Sequence, residues 1–167
     1  YDWRLDYNGT YRKSDGRYLT EVFSEEAVGF VRRHSSEPFF LHLTYNAPHF
    51  PLQAPDEDIR LFKEMGKFRD EVAIIHAMNR RMDAGIGRIL DELKSQGILD
   101  STIVMFASDN GPAGTERDGR FNCGFNGCKG NTYEGGVRVP AVLQWPAQVA
   151  GGQVKSDMVH FTDWPVT

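Results

Sequence analysis

Thr102-Ile103-Val104-Met105-Phe106-Ala107-Ser108-Asp109-Asn110-Gly111 is the stretch on which the fold turns. Its first six residues are β-branched or apolar with almost no polar alternation, which predicts a strand covered on both faces. The next four are polar turn formers, so the strand opens into a loop at Ser108. Strands covered on both faces belong to mostly parallel sheets flanked by helices. In such sheets ligands gather outside the carboxyl ends of the strands, where Asp109 and Asn110 stand.

Working upstream, Ile75, Met78, Met82, Ile86, Ile89, Leu90 and Leu93 recur at three- and four-residue steps, predicting a long helix near 69–96 that Gly97 stops. Before it, Asp56-Glu57-Asp58 suits the start of a short helix through Phe62. Phe39-Phe40-Leu41-His42-Leu43-Thr44-Tyr45 reads as another buried strand, ending in the proline-punctuated loop Asn46-Ala47-Pro48-His49-Phe50-Pro51. Thr20 or Ser24 suits the cap of a helix that ends near His34-Ser35-Ser36. The first 18 residues read as loop with a short hairpin at Asn8-Gly9 or Asp15-Gly16. Downstream, residues 109–136 form a glycine-rich functional loop that includes Gly111, Gly119, Gly130, Gly135 and Gly136. Val137 to Trp145 reads as a third strand, its regularity interrupted by Pro140. Helices alternating with such strands predict an α/β fold, a mostly parallel sheet sandwiched by helices.

The 167 residues, 40% hydrophobic and 25% charged, lie in the ordinary globular range for one domain or part of one. A formal net charge of -4 leaves no basic footprint for nucleic acid. No apolar run approaches the roughly 18 residues of a transmembrane helix. The chain opens at Tyr1 without a methionine and stops at Thr167 directly after an apolar stretch, so 1–167 is expected to be a single partial domain, truncated at both ends. Cys123 and Cys128 flank four residues of a glycine-rich loop; a small disulfide and two free thiols both suit that spacing, and zinc lacks further ligands.

Three places hold residues suited to chemistry. Asp109 and Asn110 offer adjacent oxygens to a hard cation such as calcium or magnesium, although two ligands do not fill a calcium shell of roughly six to eight. The plainer account is an Asn-Gly turn capped by an aspartate. His49, in a stiff loop after a strand, suits a proton donor to a leaving oxygen or an anion contact; the plainer account is a loop histidine bonded to backbone. Lys129, between Cys128 and Gly130, suits a point charge on sulfate or phosphate, or else a solvated lysine. A cation site, a lysine and a histidine are complementary parts for hydrolysing an anionic ester. Glu134 and Arg138, flanking Gly135-Gly136, suit an ion pair that pins the loop. His42, inside the first strand, and His76, inside the long helix, read as satisfied structural residues, and Asp83 as a buried hydrogen-bonding one.

Four ordered stretches carry a family resemblance: Asn46-Ala47-Pro48-His49-Phe50-Pro51, Met82-Asp83-Ala84-Gly85-Ile86-Gly87, Ser108-Asp109-Asn110-Gly111-Pro112, and Lys129-Gly130-Asn131-Thr132-Tyr133-Glu134-Gly135-Gly136-Val137-Arg138-Val139-Pro140. Together they resemble the type I sulfatases of the alkaline-phosphatase-like superfamily, over about Tyr18 to Pro165. The resemblance implies that Asp109 and Asn110 are calcium ligands. It implies that Lys129 contacts the sulfate group, and that His49 contacts it and assists the leaving group. It implies covalent hydrolysis of a sulfated small molecule or sulfated carbohydrate to an alcohol and inorganic sulfate, with magnesium as a substitute metal. It also implies a periplasmic, extracellular or lysosomal setting.

One departure stands out. The family's nucleophile is a formylglycine made within Cys/Ser-X-Pro/Ala-X-Arg, and no such motif occurs in these 167 residues. In the family it lies upstream of the His49-like segment, so this chain is expected to hold the charge-stabilising part of the site without its nucleophile. A phosphate or phosphonate ester hydrolase of the same superfamily, and a binding module without catalysis, are the alternative readings.

Overall fold

The computed structural model describes residues 1–114 and 122–166. A hairpin opens the chain: β1 (Arg4–Tyr7) pairs antiparallel with β2 (Thr10–Lys13), in register from Arg4↔Lys13 to Tyr7↔Thr10. Its two-residue turn has positive φ at both Asn8 (52°) and Gly9 (83°), the backbone that asparagine and glycine tolerate best. Three helices follow: α1 (Leu19–His34), α2 (Asp56–Glu64) and α3 (Asp70–Ser95). A 3-10 turn at Leu99–Ser101 leads into β3 (Val104–Ala107). The single turn α4 (Glu134–Val137) precedes β4 (Ala141–Gln144), and a second 3-10 segment spans Phe161–Val166.

The helices follow their apolar spacing closely, but α1 starts without the expected hydroxyl cap. Tyr18 occupies its N-cap with no side-chain hydrogen bond. Ser24 instead lies inside the helix, fully buried, where its hydroxyl donates to the Thr20 carbonyl one turn earlier at 2.8 Å. α3 begins with Asp70 and Glu71 beside its N-terminal dipole and ends where Gly97, at φ 72°, lets Ile98 N–H reach back to Leu93 O. Asp83 lies exposed on this helix, not buried as expected.

The core is where α1 and α2 close on α3. Val31, Val72, Ala73, Ala77, Met78 and Leu93 are buried, and burial of a side chain the size of Val31 or Met78 contributes ~1.5–3 kcal/mol. A sub-cluster of Ala47, Ala54, Ala77 and Met78, with Leu52, Ile59 and Phe62 packed around it, seats residues 47–54 on α3. His76 packs as a structural residue, its ring stacked on Phe62 and tilted against Phe68 at 5.5 and 4.5 Å between centroids, but its buried Nε2 has no hydrogen-bond partner among the described residues, so it is not the satisfied histidine expected.

The strands depart most from expectation. The α/β class holds, but both ladders among the described residues are antiparallel, with β3 on β4 in register from Val104↔Gln144 to Ala107↔Ala141. Residues 39–45 join no ladder. Their odd positions are half-buried against the helices, as in the edge-to-face contact of Phe39 with Phe30, while Phe40 is 86% exposed. β3 is likewise half-covered, with Met105 40% and Phe106 37% exposed. Continuous apolarity shows that a strand suits cover on both faces; it does not supply the neighbours, and here only one face or edge is met. The third strand is shorter than expected. Pro140 cannot donate to a ladder, and Val137 is drawn into α4.

Candidate active site

Asp109 and Asn110 follow β3 directly, at the mouth of the long loop. Asn110 Nδ2 donates to Asp109 Oδ1 at 2.6 Å, so the two side chains converge on one side of the turn. Ser108 Oγ donates to the Asn110 carbonyl at 2.9 Å and steadies that turn from within. The donor chemistry, one carboxylate and one amide oxygen, fits a hard cation in part. No group of three or more His, Cys, Asp or Glu side chains gathers among the described residues, so further ligands for such an ion would have to come from elsewhere.

Lys129 is brought to the same place through the backbone. Its N–H donates to the Pro112 carbonyl at 2.9 Å, and Gly111 N–H donates to the Gly136 carbonyl at 2.9 Å. These two bonds lay the Lys129 loop alongside the Asp109-Asn110 loop. Lys129 and Gly130 form the tip of a turn closed by Asn131 N–H on Cys128 O at 3.2 Å. Gly130 sits at φ 92°, the third-position backbone of a type II turn, where glycine is needed. The Asn131 side chain locks this turn by accepting from Cys128 N–H at 3.0 Å. The ammonium therefore stands on an exposed tip, and no carboxylate among the described residues pairs with it.

The glycines have a packing reason that spacing alone did not reveal. A Cβ on Gly111 would collide with the carbonyl oxygen of Gly135 and lie 2.8 Å from its carbonyl carbon. A Cβ on Gly135 would meet Asn126 O at 2.8 Å, and one on Gly136 would collide with the carbonyl oxygens of Cys128 and Asn131. Three bare backbones interleave here, which is what allows the two loops to touch. The expected pinning pair is present: Arg138 Nη1 lies 3.0 Å from Glu134 Oε2, and the guanidinium also covers the Phe125 ring at 4.7 Å. Cys123 and Cys128 are free thiols, and Gly119 lies outside the described residues.

His49 is held separately. It ends a turn closed by its own N–H on Asn46 O at 2.8 Å, and Ala47 roots that turn in the core. Nδ1 lies 3.0 Å from the Phe50 carbonyl. A carbonyl only accepts, so Nδ1 carries the proton and Nε2 is the nitrogen left to face solvent. Among the described residues no hydrogen bond or ion pair joins His49 to Asp109, Asn110 or Lys129: a hydrogen bond joins Asp109 to Asn110, backbone bonds lay the Lys129 loop beside theirs, and His49 stands on its own support. His42 is exposed beside Phe40 and takes no part.

Comparison with known proteins speaks to the whole chain. The sequence model of the family described as Sulfatase matches residues 1–167. N-acetylgalactosamine-6-sulfatase of Mus musculus is 34% identical over 156 residues, which is 91% of this chain and 28% of that protein. Steryl-sulfatase of Mus musculus is 35% identical over 159 residues, 91% of this chain and 24% of that protein. The crystal structure of Ps i-CgsB in complex with k-i-k-neocarrahexaose superposes with a TM-score of 0.78 at 40% identity, covering 90% of this chain and 33% of that one. The chain thus spans about a quarter of the length of the curated relatives it matches. With ordered motifs, glycine-stitched loops and this fold in agreement, the chain belongs to the sulfatase family and shares its alkaline-phosphatase-like fold.

Proposed function

We propose that the full-length protein containing this chain hydrolyses sulfate esters, and that these 167 residues supply the charge-stabilising part of its active site. The observation that supports the reading is the pair of backbone bonds, Lys129 N–H to Pro112 O and Gly111 N–H to Gly136 O, which lay the loop that carries Lys129 alongside the loop that carries Asp109 and Asn110. In this reading Asp109 and Asn110 hold calcium, with magnesium as a substitute, and the remaining ligands lie on sequence outside these residues. The ion would supply fixed positive charge opposite the sulfate oxygens. The nucleophile, a formylglycine, also lies outside this chain.

The chain's own residues then have separate tasks. Lys129 neutralises a sulfate oxygen as a point charge from a rigid turn. His49, its Nδ1–H committed to the Phe50 carbonyl, contacts the sulfate or hands a proton to the leaving oxygen from Nε2. A sulfated carbohydrate is the favoured substrate class, since one similar structure is a complex with a neocarrahexaose and one similar relative is named for an amino-sugar sulfate. The family resemblance implies a periplasmic, extracellular or lysosomal setting; among the described residues no helix is long and apolar enough to cross a membrane.

The test is release of inorganic sulfate by the full-length protein from aryl and carbohydrate sulfates, with calcium present and after chelation. Calcium-dependent release supports the proposal. Faster turnover of the matching phosphate ester would move the protein to the phosphate-hydrolase reading, and no turnover of either ester to a binding module.

A further inference from the structure

We infer that Ser24 and Gly85 are positioning residues for His49, acting through Tyr45; only the kinetic consequence of this rests on the sulfatase reading. Tyr45 is the last residue of the extended run, and Asn46 begins the turn that ends at His49. The Tyr45 hydroxyl lies 2.8 Å from Ser24 Oγ, which itself lies 2.8 Å from the Thr20 carbonyl. Serine has one proton and a carbonyl can only accept, so Ser24 donates to Thr20 and Tyr45 donates to Ser24. Ser24 is fully buried, and burial raises the Tyr45 phenol above its ordinary range, which keeps it a donor wherever the enzyme would work. The Phe23 ring meets the Tyr45 ring edge-on at 6.5 Å.

Gly85 makes room for this relay. A Cβ there would collide with the Ser24 hydroxyl and lie 3.0 Å from both Ser24 Cβ and the Tyr45 hydroxyl oxygen. Gly87, two residues on, would meet nothing within 4 Å. Only the first glycine of Gly85-Ile86-Gly87 is therefore required by packing, and it brings α3 against the polar tie that joins α1 to the run leading to His49. The turn hangs between two anchors: the Tyr45 hydroxyl before it and the Ala47 methyl within it. A side chain on an exposed turn needs such anchors, because a shift on the order of 1 Å at a reacting group can cost about a hundredfold in rate.

The experiment uses the full-length protein with histidine labelled with 13C at Cε1, His49 assigned by its loss in His49→Gln. Tyr45→Phe removes one hydroxyl and keeps the ring; Ser24→Ala removes its acceptor; Gly85→Ala fills the gap; Gly87→Ala is the matched control. The first three are expected to shift the His49 resonance, and Gly87→Ala to leave it in place. In sulfate release, Tyr45→Phe and Ser24→Ala are each expected to lower kcat at least about fivefold with KM changed less than about twofold. The double variant should be no worse than either single one, since both remove the same bond. An unmoved His49 resonance in Tyr45→Phe and Ser24→Ala overturns the inference even if Gly85→Ala fails to fold. Wild-type protein that releases no sulfate defeats the sulfatase reading instead, and the resonance still decides the positioning role.

Discussion

Arg32 grips Glu92 with two nitrogens, Nη2 to Oε2 at 2.7 Å and Nε to Oε1 at 3.2 Å, and so ties the end of α1 to the end of α3. Gln96 Nε2 adds a third donor to Oε1 at 2.8 Å. The Arg32 hydrogen bond first, and Gln96 after it, hold the Glu92 carboxyl below its ordinary value of 4.5. The folded state then binds this proton less tightly than the unfolded chain does. Its contribution to stability is complete above about pH 4.5 and is lost as pH falls through the lowered folded value. Thermal melts from pH 7 to pH 3 are expected to show wild-type Tm falling faster than that of Glu92→Gln, the two curves converging at the acid end. Parallel curves would show that the pair does not couple to folding.

Asp58 is the second polar junction and the more deeply buried one. Its carboxylate is 1% exposed at the residue level and is engaged by Arg80 and Arg81, while Arg81 also reaches Glu21 at 3.3 Å and Glu57. Glu21 in turn takes Arg88 Nη2 at 2.5 Å, so α1, α2 and α3 share one network. Removing one member of a buried pair leaves its partners uncompensated, which costs ~3–5 kcal/mol when both are enclosed. Arg80 and Arg81 remain partly solvated, so Asp58→Ala is expected to cost about 2–3 kcal/mol in chemical denaturation. Glu57→Ala, on the exposed rim, should cost less than about 1 kcal/mol.

These networks mark the limit of what spacing conveys. The apolar positions from Ile75 to Leu93 declared α3 because helical packing repeats every three or four residues. The hairpin was legible as one of two turn signals, Asn8-Gly9 or Asp15-Gly16, and the first forms it, with positive φ at both residues. The carboxyl end of β3 and the Asp109-Asn110 turn were legible for a similar reason, an apolar run changing sharply to turn formers, while the strand starts two residues later than expected, at Val104. Pairing was not legible. Residues 39–45 and 102–107 have the composition of doubly covered strands, yet composition does not say which neighbours are met. Lys129 is singled out by family resemblance, but the seating of its loop depends on Pro112 and Gly136, residues with no chemical signal of their own. Ser24 was misread as a cap because a serine before acidic residues looks the same whether it starts a helix or ties it to another element.

The glycines give a sharp contrast that can be measured. Gly87 lies inside α3 with open space where a Cβ would go, so Gly87→Ala is expected to stabilise by about 0.5–1 kcal/mol through helix propensity. Gly135 is buried with the Asn126 carbonyl oxygen 2.8 Å from where a Cβ would stand. Backbone cannot rotate aside as a side chain does, so Gly135→Ala should destabilise the loop by about 1–3 kcal/mol. Hydrogen exchange at Gly111 N–H, which donates to Gly136 O, would report that loss locally. Equal behaviour of the two variants would show that the interleaved backbones do not constrain the loop.

Lys129 and Gly130 divide charge from geometry. Lys129→Ala removes the point charge and leaves the turn, because the bonds that set it involve the backbone of residues 128, 129 and 131 and the Asn131 amide. In the full-length protein this variant is expected to lower kcat/KM for a sulfate ester by about 100-fold, the scale for losing one electrostatic contact to a developing charge. Gly130→Ala keeps the charge but strains a φ of 92°, at a cost of about 1–2 kcal/mol. Relief of that strain tilts the turn, so activity should fall by a smaller factor while sulfate still inhibits competitively. Inhibition by inorganic sulfate should weaken in Lys129→Ala and weaken further with salt in wild type, as expected for a charge on an exposed tip. Unchanged sulfate inhibition in Lys129→Ala would show that this ammonium is a solvated surface charge and that another group holds the anion.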